Sequence, residues 1–212
     1  MDSDYYLSVP ATRVTRKQSQ EQTRAALLRA AAELFAANGV EGTSLEAIAR
    51  HAGLTQGAIY SNFSGKADIW WAIAGEMSRV LTFEDHIDGE KALEEQLGDL
   101  GCAVWELLQS MTRNELVLTR EFDLFLARNP REHARYKRGL RAGHRRLADN
   151  LARAADGRKA PLPMPSEQLA RSISAVVEGL LHLYILDDAA VDEDLCVATM
   201  RAMALPRKEG EQ

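Results

Sequence analysis

Cysteine is scarce in this sequence. Among 212 residues only Cys102 and Cys196 are present, far apart and each within an apolar helical pattern. Two such cysteines supply neither a disulfide framework nor a metal-ligand spacing, so we expect free thiols in a reducing compartment. The five histidines form no HExxH motif, and no pair at i, i+4 shares a helix with a third ligand. We therefore expect no metal site and no cofactor.

Targeting and enzyme signals are missing as well. The first ten residues, MDSDYYLSVP, carry acid where a signal peptide needs positive charge. No apolar run approaches the roughly 18 residues that suggest a membrane-spanning helix. The chain has no Gly-rich phosphate loop, no GxSxG nucleophile motif and no close acid pair placed by a fold signal. We expect a soluble cytoplasmic protein that is neither an enzyme nor bound to a membrane.

Proline is rare, and three of the six prolines are clustered at Pro161, Pro163 and Pro165. The long stretches free of proline are rich in Ala, Leu, Glu and Arg, which favour helix over strand. An all-α fold is predicted.

Basic residues are in deficit, since the net charge is −5. A negative protein is a poor match for a polyanion, because phosphate binding depends on Lys and Arg. The deficit is uneven: residues 1–66 contain seven Lys and Arg against six Asp and Glu, whereas residues 67–212 contain 19 against 25. This distribution fits a DNA-reading N-terminal part on an acidic body.

Hydrophobic periodicity predicts about nine helices. Residues 1–20 lack periodicity, and we interpret them as a flexible arm that becomes helical near Ser19. The first helix follows from Thr23 and ends at Asn38-Gly39. Thr43 or Ser44 can cap a short second helix, which Gly53 ends. The remaining helices are predicted at 55–63, 66–82, 90–111, 114–128, 131–155, 166–187 and 192–204, with loops at 85–89 and 157–165.

The second and third helices have the pattern of a helix-turn-helix: both are short, the turn contains Gly, and Thr55 can cap the third. On the outward side of the third helix, Gln56 can hydrogen-bond a base edge in two places. Gly57 lets the backbone approach, and the Ala58 methyl can pack on a thymine methyl. The residues suited to phosphate oxygens, which fix register without reading sequence, are Thr43, Thr55, Tyr60 and Lys66. From spacing alone, an ordinary helical hairpin with its polar side in water is the alternative.

The stretch TRAALLRAAAELFAANGVEGTSLEAIARHAGLTQGAIYSNFSGKADIWWAI closely resembles the N-terminal domain of the tetracycline-repressor (TetR) family of regulators. Its marks are LLRAAAELFAANG, TSLEAIARHAGLT and QGAIYSNF, with Lys66 just after them. Ile69 stands where Leu is frequent in the family, which preserves an apolar site. The resemblance implies that Gln56, Gly57 and Ala58 face bases in the major groove. It implies backbone contacts for Thr43, Thr55, Tyr60, Asn62 and Lys66, and Ser44 completes the predicted DNA-binding set.

Beyond about residue 80 the resemblance rests on helix count and order. It implies an arm (1–20), a helix-turn-helix DNA-binding domain (21–66), a helical effector-binding and dimerisation domain (67–205) and a tail (206–212). Apolar stripes on the last two helices fit a homodimer, and Gly179 would let another helix approach closely. A two-fold axis there would place two recognition helices about 34–36 Å apart. The predicted interface residues are Leu169, Ile173, Val176, Val177, Leu180, Tyr184, Leu195, Ala198 and Ala202. The same stripes also fit packing within one subunit.

The family also implies a small-molecule pocket in the body. The candidates are Trp70, Trp71, Met77, Trp105, Leu108, Phe122, Phe125, Tyr136, His144 and His182. Such residues are more often core than ligand site, and the acidic body favours an apolar or cationic effector over an anionic one. Our hypothesis is a repressor that binds a pseudo-palindromic operator as a homodimer and is released by a small molecule. The alternative is a DNA-binding regulator or architectural factor without a metabolite effector.

Overall fold

The computed structural model describes residues 15–78, 87 and 91–205, and the regular secondary structure of these residues is entirely helical. The predicted all-α fold is confirmed. The helices are α1 (Arg16–Asn38), α2 (Leu45–His51), α3 (Gln56–Asn62), α4 (Lys66–Ser78), α5 (Leu93–Ser110), α6 (Arg113–Arg128), α7 (Pro130–Arg158), α8 (Ser166–Leu186) and α9 (Glu193–Ala202), with a 3-10 turn at Asp188–Ala190. Most of the predicted arm, most of the loop at 85–89 and the tail at 206–212 lie outside the described residues.

Helix α1 begins earlier than the sequence pattern predicts. A capping box starts it at Thr15: the Gln18 backbone N–H donates to Thr15 Oγ1 at 3.2 Å, and the Thr15 N–H donates to Gln18 Oε1 at 2.9 Å. This reciprocal pair satisfies two of the backbone donors that a helix start leaves unpaired. Residues 16–20, predicted as part of the arm, are therefore helical.

Helix α7 runs past its predicted end at residue 155 and through Gly157, where the sequence predicts a loop. Gly157 stays helical, and the chain leaves the helix at Lys159, which has φ 53° and ψ 34°. This left-handed conformation usually falls to glycine, so glycine position alone did not locate the stop. Pro161 and Pro163 follow at once and prevent the helix from continuing.

The molecule has two hydrophobic cores, and α6 contributes to the N-terminal one. The C-terminal core combines residues from α5, α7, α8 and α9, including Leu97, Leu151, Leu169, Ile173 and Met200. The N-terminal core combines α1–α4 with three residues of α6. Its buried members include Leu27, Phe35, Ile48, Ile59, Trp70, Leu118, Phe125 and Leu126. The packing boundary therefore does not follow the division at residue 66.

Helices α5 and α9 approach each other at Gly101. A Cβ atom at this position would lie 2.7 Å from the Val197 Cα and 2.9 Å from the Cys196 carbonyl oxygen. Only glycine allows the two backbones to come this close. The contact anchors the last helix to the C-terminal core.

Helix α8 is apolar on two sides. Among the described residues it is the one helix long and apolar enough to cross a membrane by length and composition alone, although Glu167, Arg171 and Glu178 interrupt its sequence. One side of the helix, including Leu169 and Ile173, is fully buried in the C-terminal core. A second apolar side of α8 faces outward, and the two apolar sides together explain why the helix as a whole is so hydrophobic.

Candidate DNA-binding surface and effector cavity

Helices α2 and α3 form the predicted helix-turn-helix. Ser44 Oγ accepts the Ala47 N–H at 3.1 Å and caps α2, while Thr55 Oγ1 accepts the Ala58 N–H at 3.3 Å and caps α3. Between the helices Gly53 has φ 67°, a conformation that favours glycine. Ile48 and Ile59 are fully buried beneath the two helices. The apolar sides face α1 and α4, so the polar side of α3 faces solvent.

The outward side of α3 carries the residues that the sequence proposes for base reading. Gln56 and Gly57 are exposed and Ala58 is half-buried. Tyr60 is 56% exposed, which is unusual for a large aromatic side chain. It lies in the well-packed unit of helices α1–α4, which we call the DNA head, or head. A Cβ added to Gly57 would meet only Thr55 Oγ1, at 3.8 Å. The fold itself therefore does not require glycine at this position.

Glu46, in the first turn of α2, is hydrogen-bonded to two side chains on the outward side of α3. Its Oε1 accepts a hydrogen bond from Gln56 Nε2 at 2.8 Å and another from the Tyr60 hydroxyl at 3.2 Å. A backbone hydrogen bond within Glu46, followed by the bond from Gln56, lowers the pKa of the Glu46 carboxyl. Sequence reasoning missed this residue, because its place in the chain indicated only a helix start.

Thr43 does not fit the predicted phosphate contact. Its side chain is 3% exposed, and its hydroxyl donates to the carbonyl oxygens of Gly39 at 2.8 Å and Leu34 at 3.2 Å. The hydroxyl closes the end of α1 instead of facing solvent. Of the two proposed caps for α2, Ser44 fills the role and is exposed.

Lys66 and Asn62 are engaged within the protein. Lys66 Nζ donates to the Val40 carbonyl oxygen at 2.9 Å and lies 3.9 Å from the Glu41 carboxylate. Asn62 Nδ2 donates to the Ala58 carbonyl oxygen at 2.8 Å. Lys66 therefore braces the connection between α1 and α2, a structural role that its place after α3 did not reveal.

A cavity of about 610 Å³ lies between α4, α5, α6, α7 and α8, and we call it the body cavity. Four of the predicted effector residues line it: Trp70, Phe122, Tyr136 and His144. Aliphatic side chains supply about half of the remaining wall, including Ile73, Leu107, Leu118 and Leu181, and polar or charged side chains supply most of the rest. A shallower groove lies beside residues 159–166 and contains none of the predicted residues.

The other predicted effector residues lie elsewhere. Trp71 donates from Nε1 to Glu132 Oε2 at 2.6 Å, and Trp105 packs edge-on against Tyr184. Leu108 and Phe125 are buried in the two cores. The Nδ1 atom of His182 lies 3.4 Å from Arg120 Nη1, and neither His182 nor those four residues lines the body cavity. The side chain of Met77 lies outside the described residues.

One wall of the body cavity carries charge. Arg120 Nη1 lies 3.1 Å from Asp123 Oδ2, and Arg120 Nη2 lies 3.8 Å from Glu178 Oε2. Although Glu178 remains open to the cavity, desolvation by the surrounding protein and the charge of Asp123 raise its pKa, against the opposing effect of Arg120. Desolvation likewise raises the pKa of the Tyr136 phenol. Sequence reasoning considered aromatic side chains and histidine, so it missed this charged group.

The predicted interface residues separate into two sets. Leu169, Ile173, Val177 and Leu180 are buried in the protomer's own core, which leaves them little side-chain surface for a partner. Val176 and Tyr184 are half-buried, and Leu195, Ala198 and Ala202 are exposed. On the outward side of α8, Leu183 and Leu186 are also exposed. These two leucines escaped the sequence prediction because the α8 stripe followed the side that faces the core.

Residues 27–73 match the model of the bacterial regulatory proteins, tetR family. Over 195 residues the chain is 32% identical to the HTH-type transcriptional regulator TtgR of Pseudomonas putida and 33% identical to the probable HTH-type transcriptional regulator ArpR of the same species. Each alignment covers 85% of this chain and 88% of the relative. The structure is also similar to that of native NalD, the secondary repressor of the MexAB-OprM multidrug efflux pump in Pseudomonas aeruginosa. The two superimpose with a TM-score of 0.68 at 26% sequence identity, over 89% of this chain and 99% of NalD. The similarity therefore extends from the helix-turn-helix into the body.

The raised pKa of Glu178 predicts a pH-dependent effect of Glu178→Gln. A carboxyl whose pKa is raised by folding favours the protonated state in the folded protein. Its negative charge therefore lowers the free energy of unfolding above that raised pKa. Below the usual carboxyl pKa, near pH 4, the group is protonated in both states and this cost disappears. We expect the variant to melt slightly above the wild type at pH 7, with the difference vanishing toward pH 4. Thermal melts from pH 4 to 8 measure this. Glu106→Gln, at an exposed position of α5, is the control, and a variant less stable at pH 7 contradicts the prediction.

Proposed function

This chain belongs to the tetR family of bacterial regulatory proteins and is a DNA-binding transcriptional regulator; we propose that it is a repressor that binds a pseudo-palindromic operator as a homodimer and is released by a small molecule in the body cavity. The observation that carries the proposal is the position of α6. Leu118 of this helix belongs both to the N-terminal core and to the cavity wall. A ligand that displaces α6 therefore acts directly on the helices beneath the DNA-reading surface.

Repression is proposed from NalD, which is itself a repressor and matches this chain over nearly its whole length. A repressor needs only to occupy its operator, so the DNA head and the dimer suffice for the activity. The partner is double-stranded DNA, which places the protein in the cytoplasm.

For the DNA contacts we propose that Gln56, Gly57 and Ala58 face bases while Ser44, Thr55 and Tyr60 meet phosphates. The exposure of the polar side of α3 supports this assignment. Lys66 and Asn62 act on binding through the loop and helix that they hold, because Lys66 Nζ and Asn62 Nδ2 already donate to backbone carbonyl oxygens of α1–α4 and their connections.

The route from cavity to DNA passes through two contacts of the loop between α1 and α2. On one side Glu121 of α6 accepts the Val40 N–H at 3.4 Å, and its carboxylate would lie 3.2 Å from a Cβ at Gly39. On the other side Lys66 of α4 donates to the Val40 carbonyl oxygen. Both helices also line the body cavity. We propose that the effector favours an arrangement of α4 and α6 in which the two heads are wrongly spaced for DNA.

The effector that fits the body cavity is mostly apolar and carries at least one polar group. Apolar side chains form just over half of the wall, Arg120 is ion-paired with Asp123 and Glu178, and Glu115 and Arg171 are the other charged lining residues. The cavity size matches that of small-molecule sites in general.

For the dimer we propose the outward faces of α8 and α9. Leu183 and Leu186 extend the face around Val176, and Leu195, Ala198 and Ala202 supply the face of α9. Gly179 lies in this region, and a Cβ added to it would meet no atom of the protomer within 4 Å, so it leaves space for a partner helix. Covering this apolar surface is the expected source of association energy.

Gly57→Ala tests the DNA-binding surface. A helical Gly→Ala change gains about 0.5–1 kcal/mol of stability, and the methyl has room in the free protein. We expect unchanged or higher thermal stability together with at least about tenfold weaker binding to the DNA upstream of the chain's own gene, because a methyl would obstruct the close approach to bases. Binding is measured across a salt series, where specific complexes fall steeply with salt. Gly139→Ala, on the exposed side of α7, should leave DNA affinity unchanged; equal affinity of Gly57→Ala and wild type would contradict the assignment.

Gly179→Leu tests the dimer. We expect the dimer dissociation constant to rise about tenfold or more, because an added side chain at a close helix contact typically costs about 1–3 kcal/mol. Sedimentation velocity over a concentration series measures the change. Gly139→Leu adds the same side chain on exposed α7, where nothing lies within 4 Å of the Cβ position, and should leave association intact. A Gly179→Leu protein that dimerises as well as the wild type places the interface elsewhere.

Ala175→Trp tests the body cavity. Compounds from a broad library are first selected for raising the melting temperature of the wild type, and these compounds should release the wild type from DNA. In Ala175→Trp the indole fills part of the cavity. The compounds should therefore raise the melting temperature of this variant less and release it from DNA less, while its DNA affinity without compound stays as in the wild type. Ala134→Trp, on α7 outside the cavity, should respond like the wild type. If no compound stabilises the wild type, the regulator without a metabolite effector becomes the better hypothesis.

A further inference from the structure

We propose that Glu46 sets the base preference of the recognition helix by fixing the orientation of the Gln56 carboxamide. Glu46 lies on α2, outside the helix that reads DNA, and its carboxylate reaches across to α3. It is a positioning residue: it acts through Gln56 and needs no DNA contact of its own. The inference rests on the proposal that Gln56 faces a base.

The orientation follows from the chemistry of the two side chains. An ionised carboxylate only accepts hydrogen bonds, and a carboxamide has a donating nitrogen and an accepting oxygen. Glu46 Oε1 lies 2.8 Å from the Gln56 nitrogen. Rotating the amide by 180° would bring two oxygen atoms together and lose the bond. The lowered pKa of Glu46 keeps the carboxyl ionised, so this selection persists at neutral pH.

Tyr60 holds the carboxylate in place from the next turn of α3. Its hydroxyl donates to the same Oε1 atom at 3.2 Å. Gln56 and Tyr60 are four residues apart, so both project from one side of α3. In the free protein the carboxylate is thus held between two donors of the same helix, and when the Tyr60 hydroxyl turns to a phosphate on DNA the bond from Gln56 remains.

This arrangement determines what Gln56 offers to DNA. One of its two N–H groups is used by Glu46, which leaves the Oε1 acceptor and a single N–H. In the major groove adenine and cytosine present an exocyclic amine as donor, whereas guanine and thymine present carbonyl acceptors at the corresponding place. Only adenine presents a donor, its exocyclic amine, beside an acceptor, N7, so it alone pairs both free groups of the fixed amide. The fixed amide therefore selects adenine at one position of each half-site.

The experiment is selection of bound sites from a random DNA library with the full-length protein and its variants at one salt concentration. Glu46→Ala removes the acceptor, and Glu46→Asp keeps the charge at the start of α2 but shortens the side chain. Gln56→Ala identifies the position that Gln56 reads. Glu41→Gln removes a nearby exposed negative charge and serves as the control for electrostatics. Equal melting temperatures establish that the variants are folded.

We expect the wild type to select adenine at one position per half-site that Gln56→Ala relaxes. Both Glu46 variants should lower that preference at least about fivefold and leave other positions unchanged, whereas Glu41→Gln should keep the whole pattern. The inference is overturned if the Glu46 variants keep the preference, or if the Gln56-dependent base is not adenine. If Gln56→Ala changes no position, the failure lies in the proposed base contact of Gln56.

Discussion

The packing of Trp70 is the contact on which the rest of the arrangement depends. Its ring meets Phe35 of α1 edge-on at 5.3 Å, and it meets Phe122 and Phe125 of α6 at 5.8 and 6.1 Å between centroids. A side chain of this size with 1% exposure cannot shift without moving its neighbours, because protein interiors are close-packed. Since Trp70 also lines the body cavity, the DNA-reading head and the cavity share one rigid contact.

Hydrogen bonds with α4 and α6 hold the loop between α1 and α2, which limits how this part of the head can move relative to these two helices. The loop between α1 and α2 is held by Glu121 at one backbone atom and by Lys66 at another, and the Thr43 hydroxyl closes the adjoining end of α1. Each bond alone is worth about 1 kcal/mol. Together they tie the loop to α4 and α6, the two helices through which the proposed effector would act on the DNA-binding helices.

The sequence predicts most of this fold because its signals are local. Helix bounds agree closely at the starts of α2, α3 and α4, which follow Ser44, Thr55 and Gly65, whereas the cap at Thr15 was missed because no apolar stripe accompanies it. The failures need information from distant residues. Lys159 in a left-handed conformation, the burial of Thr43 and the cross-helix bond of Glu46 all depend on packing that spacing does not encode. The charged region of the cavity was missed for the same reason, since Arg120 and Glu178 are far apart in the chain.

Helix α8 connects the two halves of the proposed mechanism. Its residues Ser174 and Glu178 line the body cavity, Ile173 and Leu180 are buried in the C-terminal core, and Leu183 points outward. A ligand that presses on α8 therefore bears on the proposed dimer face through a helix held rigid by its own core. Because the same ligand contacts α6, it acts on the spacing between heads and on the tilt of each head. In a two-fold symmetric dimer the same change occurs in both subunits, so its effect on the distance between the recognition helices is doubled. A contact in each cavity would in this way alter the fit of two recognition helices to DNA sites about 34–36 Å apart.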